Sequence, residues 1–117
     1  MDEALRPQER LRKKKDFSHL YKKGKRFRGK NFILIYLSNE LGYSRVAIVA
    51  SKKLGNAVQR NKIKRQFRTL YRRNKELLTT PLDLIIIPHR EIHEAQWQIL
   101  ERDFTDALQS LNLRSQT

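Results

Sequence analysis

Ten lysines and arginines fall between residues 52 and 75, and no aspartate or glutamate does. Such a run binds phosphates. Arg60, Arg65, Arg68 and Arg72 offer planar forks for bidentate contacts, and Lys62 and Lys64 add point charges. Lys52 and Lys53 precede Gly55 and Asn56, where a helix can open with free N–H groups and its positive dipole end. The seat is not a nucleotide-binding loop, because the GxxxxGK[ST] spacing is absent. A second basic block, residues 6–30, sets twelve Lys/Arg against Glu9 and Asp16. Within it Phe17 and Tyr21 stand at i, i+4 among Lys13, Lys14, Lys15, Lys22 and Lys23. Aromatic faces among cations suit single-stranded bases, which stack, though the same spacing also closes a core.

Other chemistries find less support. His89 and His93 are four apart, as on a metal-binding helix, but Pro88 and the lack of Glu after His89 break the zincin pattern. His19 stands alone, and Asp83 has no following Glu-x-Lys to build a nuclease metal site. There is no cysteine, hence no disulfide, thiolate ligand or thiol nucleophile.

The 117 residues suit a single domain, and the net charge is +14. That charge is segregated. Residues 1–75 carry 23 basic and 5 acidic side chains, a net of +18, and residues 76–117 carry a net of −4. Such an excess on a small domain repels itself and calls for an anionic partner. The longest apolar run, Phe32 to Leu37, is far too short to span a membrane. No segment pairs a basic face with a wide apolar one, which disfavours a membrane-surface role. The N-terminus lacks the apolar core of a secretory signal, so a cytoplasmic protein is expected.

Few elements are needed to position these side chains. Residues 1–9 read as a flexible arm. Phe17, Leu20 and Tyr21 mark a short helix over Asp16–Tyr21, with Gly24 as its stop. Strands are predicted over Asn31–Ser38 and Arg45–Ser51, joined as a hairpin through Asn39–Gly42. Asn56 caps a long helix to about Asn74, with Ile63, Phe67, Leu70 and Tyr71 as its apolar stripe. With Ile63 pointing to the core, Arg60 lies about 60° away, Lys64 about 100° and Arg68 about 140°. Asn61, Arg65 and Arg72 continue to the far side. Leu82–Ile87 reads as a strand buried on both faces. A last helix is predicted over Glu91–Leu111, striped by Trp97, Leu100, Phe104, Leu108 and Leu111, with residues 112–117 frayed. The order gives an α+β sandwich of helices on a small sheet.

The stretch from Ala50 to Arg68, ASKKLGNAVQRNKIKRQFR, closely resembles the signature of the bacterial ribonuclease P protein subunit. The segment Arg10-Leu11-Arg12 through Asp16, Phe17, Tyr21 and Gly24 resembles that family's first helix. The strand Asp83–Pro88 resembles its last, so the resemblance spans about residues 10–111. Two positions depart from the pattern. Lys62 stands where the family typically has Arg, keeping the charge but losing the bidentate fork. Ile35 stands where members often place a cleft-lining aromatic, and here the aromatic is one step on, at Tyr36, on the opposite face.

The resemblance implies a two-layer sandwich: a mostly antiparallel four-stranded sheet, three helices and a left-handed βαβ crossover. The fourth strand is expected near Phe27–Asn31. It implies a ribonucleoprotein that removes the 5′ leader from precursor tRNA, with Mg²⁺ held by the catalytic RNA. For contact with that RNA it points to Ser51, Lys52, Lys53, Asn56, Arg60, Asn61, Lys62, Lys64, Arg65 and Arg68. For the single-stranded leader it points to Lys13, Lys14, Lys15, Phe17, Tyr21 and Tyr36. It implies no catalytic residue on the protein and no required homo-oligomer. The alternative is a structural RNA-binding protein of ribosomal type, with similar composition and no part in cleavage. A protein-only nuclease is a third class, which cleavage without any RNA subunit would support.

Overall fold

A computed structural model describes residues 6–90, 92 and 95–115, the last three by their backbone alone. The chain runs α1 (Lys14–Lys23), β1 (Lys25–Arg28), β2 (Phe32–Ser38), β3 (Arg45–Ile48), α2 (Ala57–Asn74), β4 (Leu82–Pro88) and α3 (Trp97–Ser115). Short 3-10 turns cover Pro7–Glu9, Lys52–Leu54 and Lys75–Leu77.

The sheet order is β1-β2-β4-β3, with β1–β2 and β2–β4 antiparallel and β3–β4 parallel. The expected hairpin between β2 and β3 therefore does not form. β4 inserts between them, since its continuous apolar run must be covered on both faces. The short β3 takes the edge and reaches β4 through the α2 crossover. The hairpin present is β1–β2, and β1 begins earlier than the expected Phe27–Asn31. Its sequence, KRFR, carries no apolar alternation that would mark a strand.

Alternation along the strands sorts two cores. Phe32, Leu34, Tyr36, Leu84 and Ile86 pack with α2 and α3. Phe32, Phe67 and Phe104 meet there edge to face, with centroids 5.7–6.0 Å apart. Ile35 and Ile85 face the other way, under Leu20 of α1 and Leu11. The main sandwich is thus the sheet with α2 and α3, and α1 adds partial cover on the opposite face.

α1 starts beside β3, where Asp16 meets Arg45, and ends at Gly24, which turns directly into β1. Its ten residues span about 15 Å. That matches the three strand spacings, about 14 Å, from β3 to β1. A Cβ on Gly24 would come within 2.5 Å of Leu20 O and 2.8 Å of Ile35 Cγ2, so glycine lets the helix end close on β2. Beyond α1, Ile33, Ala47, Val49 and Ile87 are only half-buried, leaving an open apolar floor.

The ends differ from expectation. Residues 6–9 are fastened, not free: Lys75 Nζ donates to Glu9 at 2.8 Å, and Leu11 N–H donates to Val46 O. Arg10 also bridges to Val46 as a rudimentary extra strand on β3. α3 begins at Trp97 and continues to Ser115. Residues just before it turn instead, Ile92 N–H bonding His89 O and Ala95 N–H bonding Ile92 O. Asn112, expected in a frayed tail, accepts from Thr79 N–H at 3.0 Å and donates to Leu77 O.

Candidate nucleic-acid interface

The α2 end of the second basic block is built by local chemistry. Asn56 accepts from Gln59 N–H at 2.9 Å, and Gln59 accepts from Asn56 N–H at 2.9 Å. This capping box anchors the helix start. Gly55 at φ 125° makes the preceding turn, and a Cβ there would overlap the Gln59 side chain at 2.0 Å. Arg60 folds back, donating to Gly55 O at 2.8 Å.

The basic residues of α2 then divide between its two edges. Lys64 and Arg68 line a cleft of about 230 Å³ with Arg10, Leu11, Arg12, Phe17, Val46, Ala47 and Ile48. Lys62 lies on the opposite edge, beside Gln59, Gln66, Ile92 and Ala95. Asn61 and Arg65 are exposed between them. Ser51 and Lys53 border a separate depression with Pro88, His89 and Arg90, and Lys52 is exposed in the turn.

Phe17 is the expected aromatic that enters the cleft. Tyr21, one turn on, is 41% exposed, and its carbonyl accepts from Arg26 at 3.2 Å. Lys13, Lys14 and Lys15 are exposed around the first turn of α1. Tyr36 is corrected. It is 2% exposed and packs in the core against α2 and α3, on the face away from the cleft. No nucleotide in the cleft reaches it. Ile35, its neighbour, faces α1 but is buried beneath Leu20.

Sequence reasoning missed Arg10 and Arg12 as cleft residues. Their signal was present in the Arg10-Leu11-Arg12 alternation of polar and apolar residues, which in the structure is an extended segment with Leu11 buried. It also missed Arg45, which sets the cleft wall. Arg45 donates to Asp83 at 2.8 and 2.6 Å and to Asp16 at 3.3 Å, tying the first turn of α1 to β3 and β4. The hydrogen bond to Asp83 is the main cause of a raised Arg45 pKa, against the opposing effect of burial. Among the described residues no three His, Asp or Glu side chains come together as a metal site. His93, of the considered His89–His93 pair, lies outside them. No helix among them is long and apolar enough to cross a membrane.

A cleft with an aromatic wall, an apolar floor and a cationic rim fits a single nucleic-acid strand. Comparison with known proteins defines the setting. The family model for ribonuclease P matches residues 5–112. The chain belongs to the ribonuclease P protein family.

The ribonuclease P protein component of Petrotoga mobilis is 40% identical over 90 residues, covering 77% of this chain and 76% of that protein. That of Thermotoga maritima is 38% identical over 94 residues, covering 80% of each. The solved structure of the Thermotoga maritima ribonuclease P protein overlays with a TM-score of 0.79 at 32% identity, covering 87% of this chain and 96% of that one. The Staphylococcus aureus ribonuclease P protein gives 0.79 at 32% identity, covering 88% and 94%. Ribonuclease P proteins act with an RNA subunit in processing the 5′ leader of tRNA, and this chain shares their four-stranded mixed sheet and three helices.

Proposed function

We propose that this chain holds the single-stranded leader of precursor tRNA in the cleft beside α1 and the RNA subunit along the outer face of α2. The observation that carries this is the meeting of Phe17 with Lys64 and Arg68 over one apolar floor. Phe17 supplies a stacking face, and the cations supply phosphate contacts without reading base identity. Lys64 and Arg68 thereby serve the leader. Ser51, Lys52, Lys53, Asn61 and Arg65, all exposed, serve the catalytic RNA. Asn56 commits its side-chain carbonyl to the helix cap and acts chiefly by holding that surface in place. Phosphodiester hydrolysis belongs to the RNA subunit and the Mg²⁺ it holds. The protein works in the cytoplasm, screening the repulsion between two polyanions that must approach each other.

Reconstitution tests this. The protein alone leaves precursor tRNA intact; added to a bacterial ribonuclease P RNA at low Mg²⁺, it promotes accurate 5′ cleavage. No stimulation at any protein ratio overturns the reading.

A further inference from the structure

The cleft is bounded on one side by α2 and β3, but its floor continues across the sheet. Strand register sets the residues of the α1 face in transverse rows. Arg26 pairs with Ile35, Ile35 with Ile85, and Ile85 with Ala47. In the next row Arg28 pairs with Ile33, and Ile33 with Ile87. The first row is covered at its centre by Leu20, whose partners Ile35 and Ile85 are buried. The second is open, with Ile33 and Ile87 half-buried. Both rows end at the β1 edge in an exposed arginine. At the other end of the first row, beside Ala47, stand Lys64 and Arg68.

Cations thus stand at both edges of a sheet about 14 Å wide, and the open Ile33–Ile87 row leads to Arg28. Arg26 is already oriented by its hydrogen bond to Tyr21 O. Charge on an edge strand discourages strand-to-strand aggregation, and Lys25 already stands on the other face of β1. Edge protection does not call for two arginines on the cleft face, each in register with the floor. Nor does the nearby chain neutralise them: between Asp16 and Glu40 there is no acidic residue.

We propose that RNA held by the cleft continues over Ile33 and Ile87 to the β1 edge, where Arg28 and Arg26 bind phosphates of the more distant leader. This rests on the leader reading above. It gives the site a second anchor and makes affinity depend on leader length.

The test uses the protein assembled with its RNA subunit. Precursor tRNAs carry leaders lengthened one nucleotide at a time. Wild-type affinity rises with length and then levels off. The Arg26→Gln/Arg28→Gln double variant levels off at a shorter leader, binding long leaders about threefold to tenfold more weakly. Short leaders and mature tRNA bind as before. The slope of log affinity against log salt on long leaders falls by about 0.7 per lost contact. Arg28→Lys keeps most of the affinity, and an unchanged melting temperature shows the fold intact. Arg102→Gln, on exposed α3, leaves the length dependence untouched. The inference is overturned if the double variant keeps the wild-type length dependence, or if it loses affinity equally for all three ligands. If wild-type protein shows no dependence on leader length, the leader reading itself falls, and this inference with it.

Discussion

Arg45, the first residue of β3, grips Asp83 near the start of β4 through two hydrogen bonds of 2.8 and 2.6 Å. The same guanidinium reaches Asp16 in the first turn of α1. One side chain therefore fixes the parallel strand pair and the helix that walls the cleft. Asn39 donates to the same Asp83 oxygen that accepts from Arg45 Nε, at 2.9 Å.

Replacing Arg45 by Met leaves Asp83 poorly solvated and without its counter-charge. Breaking such a pair costs about 3 kcal/mol. Urea denaturation of Arg45→Met should show a loss of that order. A loss under about 0.5 kcal/mol would mean the pair behaves as a solvated surface bridge.

Phe17→Ala removes the stacking face. Base–aromatic stacking is worth about 1–3 kcal/mol per base, so precursor tRNA should bind roughly 5- to 150-fold more weakly. Mature tRNA should bind unchanged. Because Phe17 also packs on the second core, its melting temperature must be measured alongside. Equal losses for both ligands would reduce Phe17 to a packing role.

Lys64→Ala and Arg65→Ala should separate, although the residues are adjacent. Lys64 lines the cleft; Arg65 is exposed on the outer face. Lys64→Ala should weaken leader-bearing substrate and lower its salt slope by about 0.7. Arg65→Ala should weaken the RNA subunit and spare leader discrimination. Titrations with each RNA, run at several salt concentrations, distinguish the two outcomes.

Glu9 predicts a pH dependence. Burial pushes its pKa up, but the Lys75 hydrogen bond, the Arg6 N–H and their charges outweigh it, and the net shift is down. A lowered folded pKa stabilises the protein above the unfolded value, about 4.3. That contribution is lost as pH falls through the lower folded pKa. Glu9→Gln should therefore cost about 0.5–1 kcal/mol near neutral pH and nothing once the wild-type carboxylate is protonated. A constant difference in thermal stability across that acid range would sink the idea.

What could be read from the sequence was local. The Asn56 cap depends on Gln59 three residues away, and Gly24 follows its helix directly, so both were visible. The Ile63–Phe67–Leu70–Tyr71 stripe was visible because helical period and burial agree there. β1 was not, because KRFR owes its strand to pairing with β2 and not to an apolar face of its own. The β2–β3 hairpin was expected because the two strands are neighbours in the chain. Which strands pair depends instead on covering β4, a requirement set by residues 38 to 56 positions away.

The same division runs through the site. By itself the sequence determined the segregated charge, the basic helix with its cap, and the family signature, because composition and short-range periodicity carry them. Only the tertiary structure decided that Phe17, Lys64 and Arg68 share one cleft, that Lys62 faces elsewhere and that Tyr36 is sealed in the opposite core. Those facts depend on strand order and on where α1 crosses the sheet. Both follow from burying apolar surface held by segments far apart in the chain, a sum over the whole fold that no local spacing records.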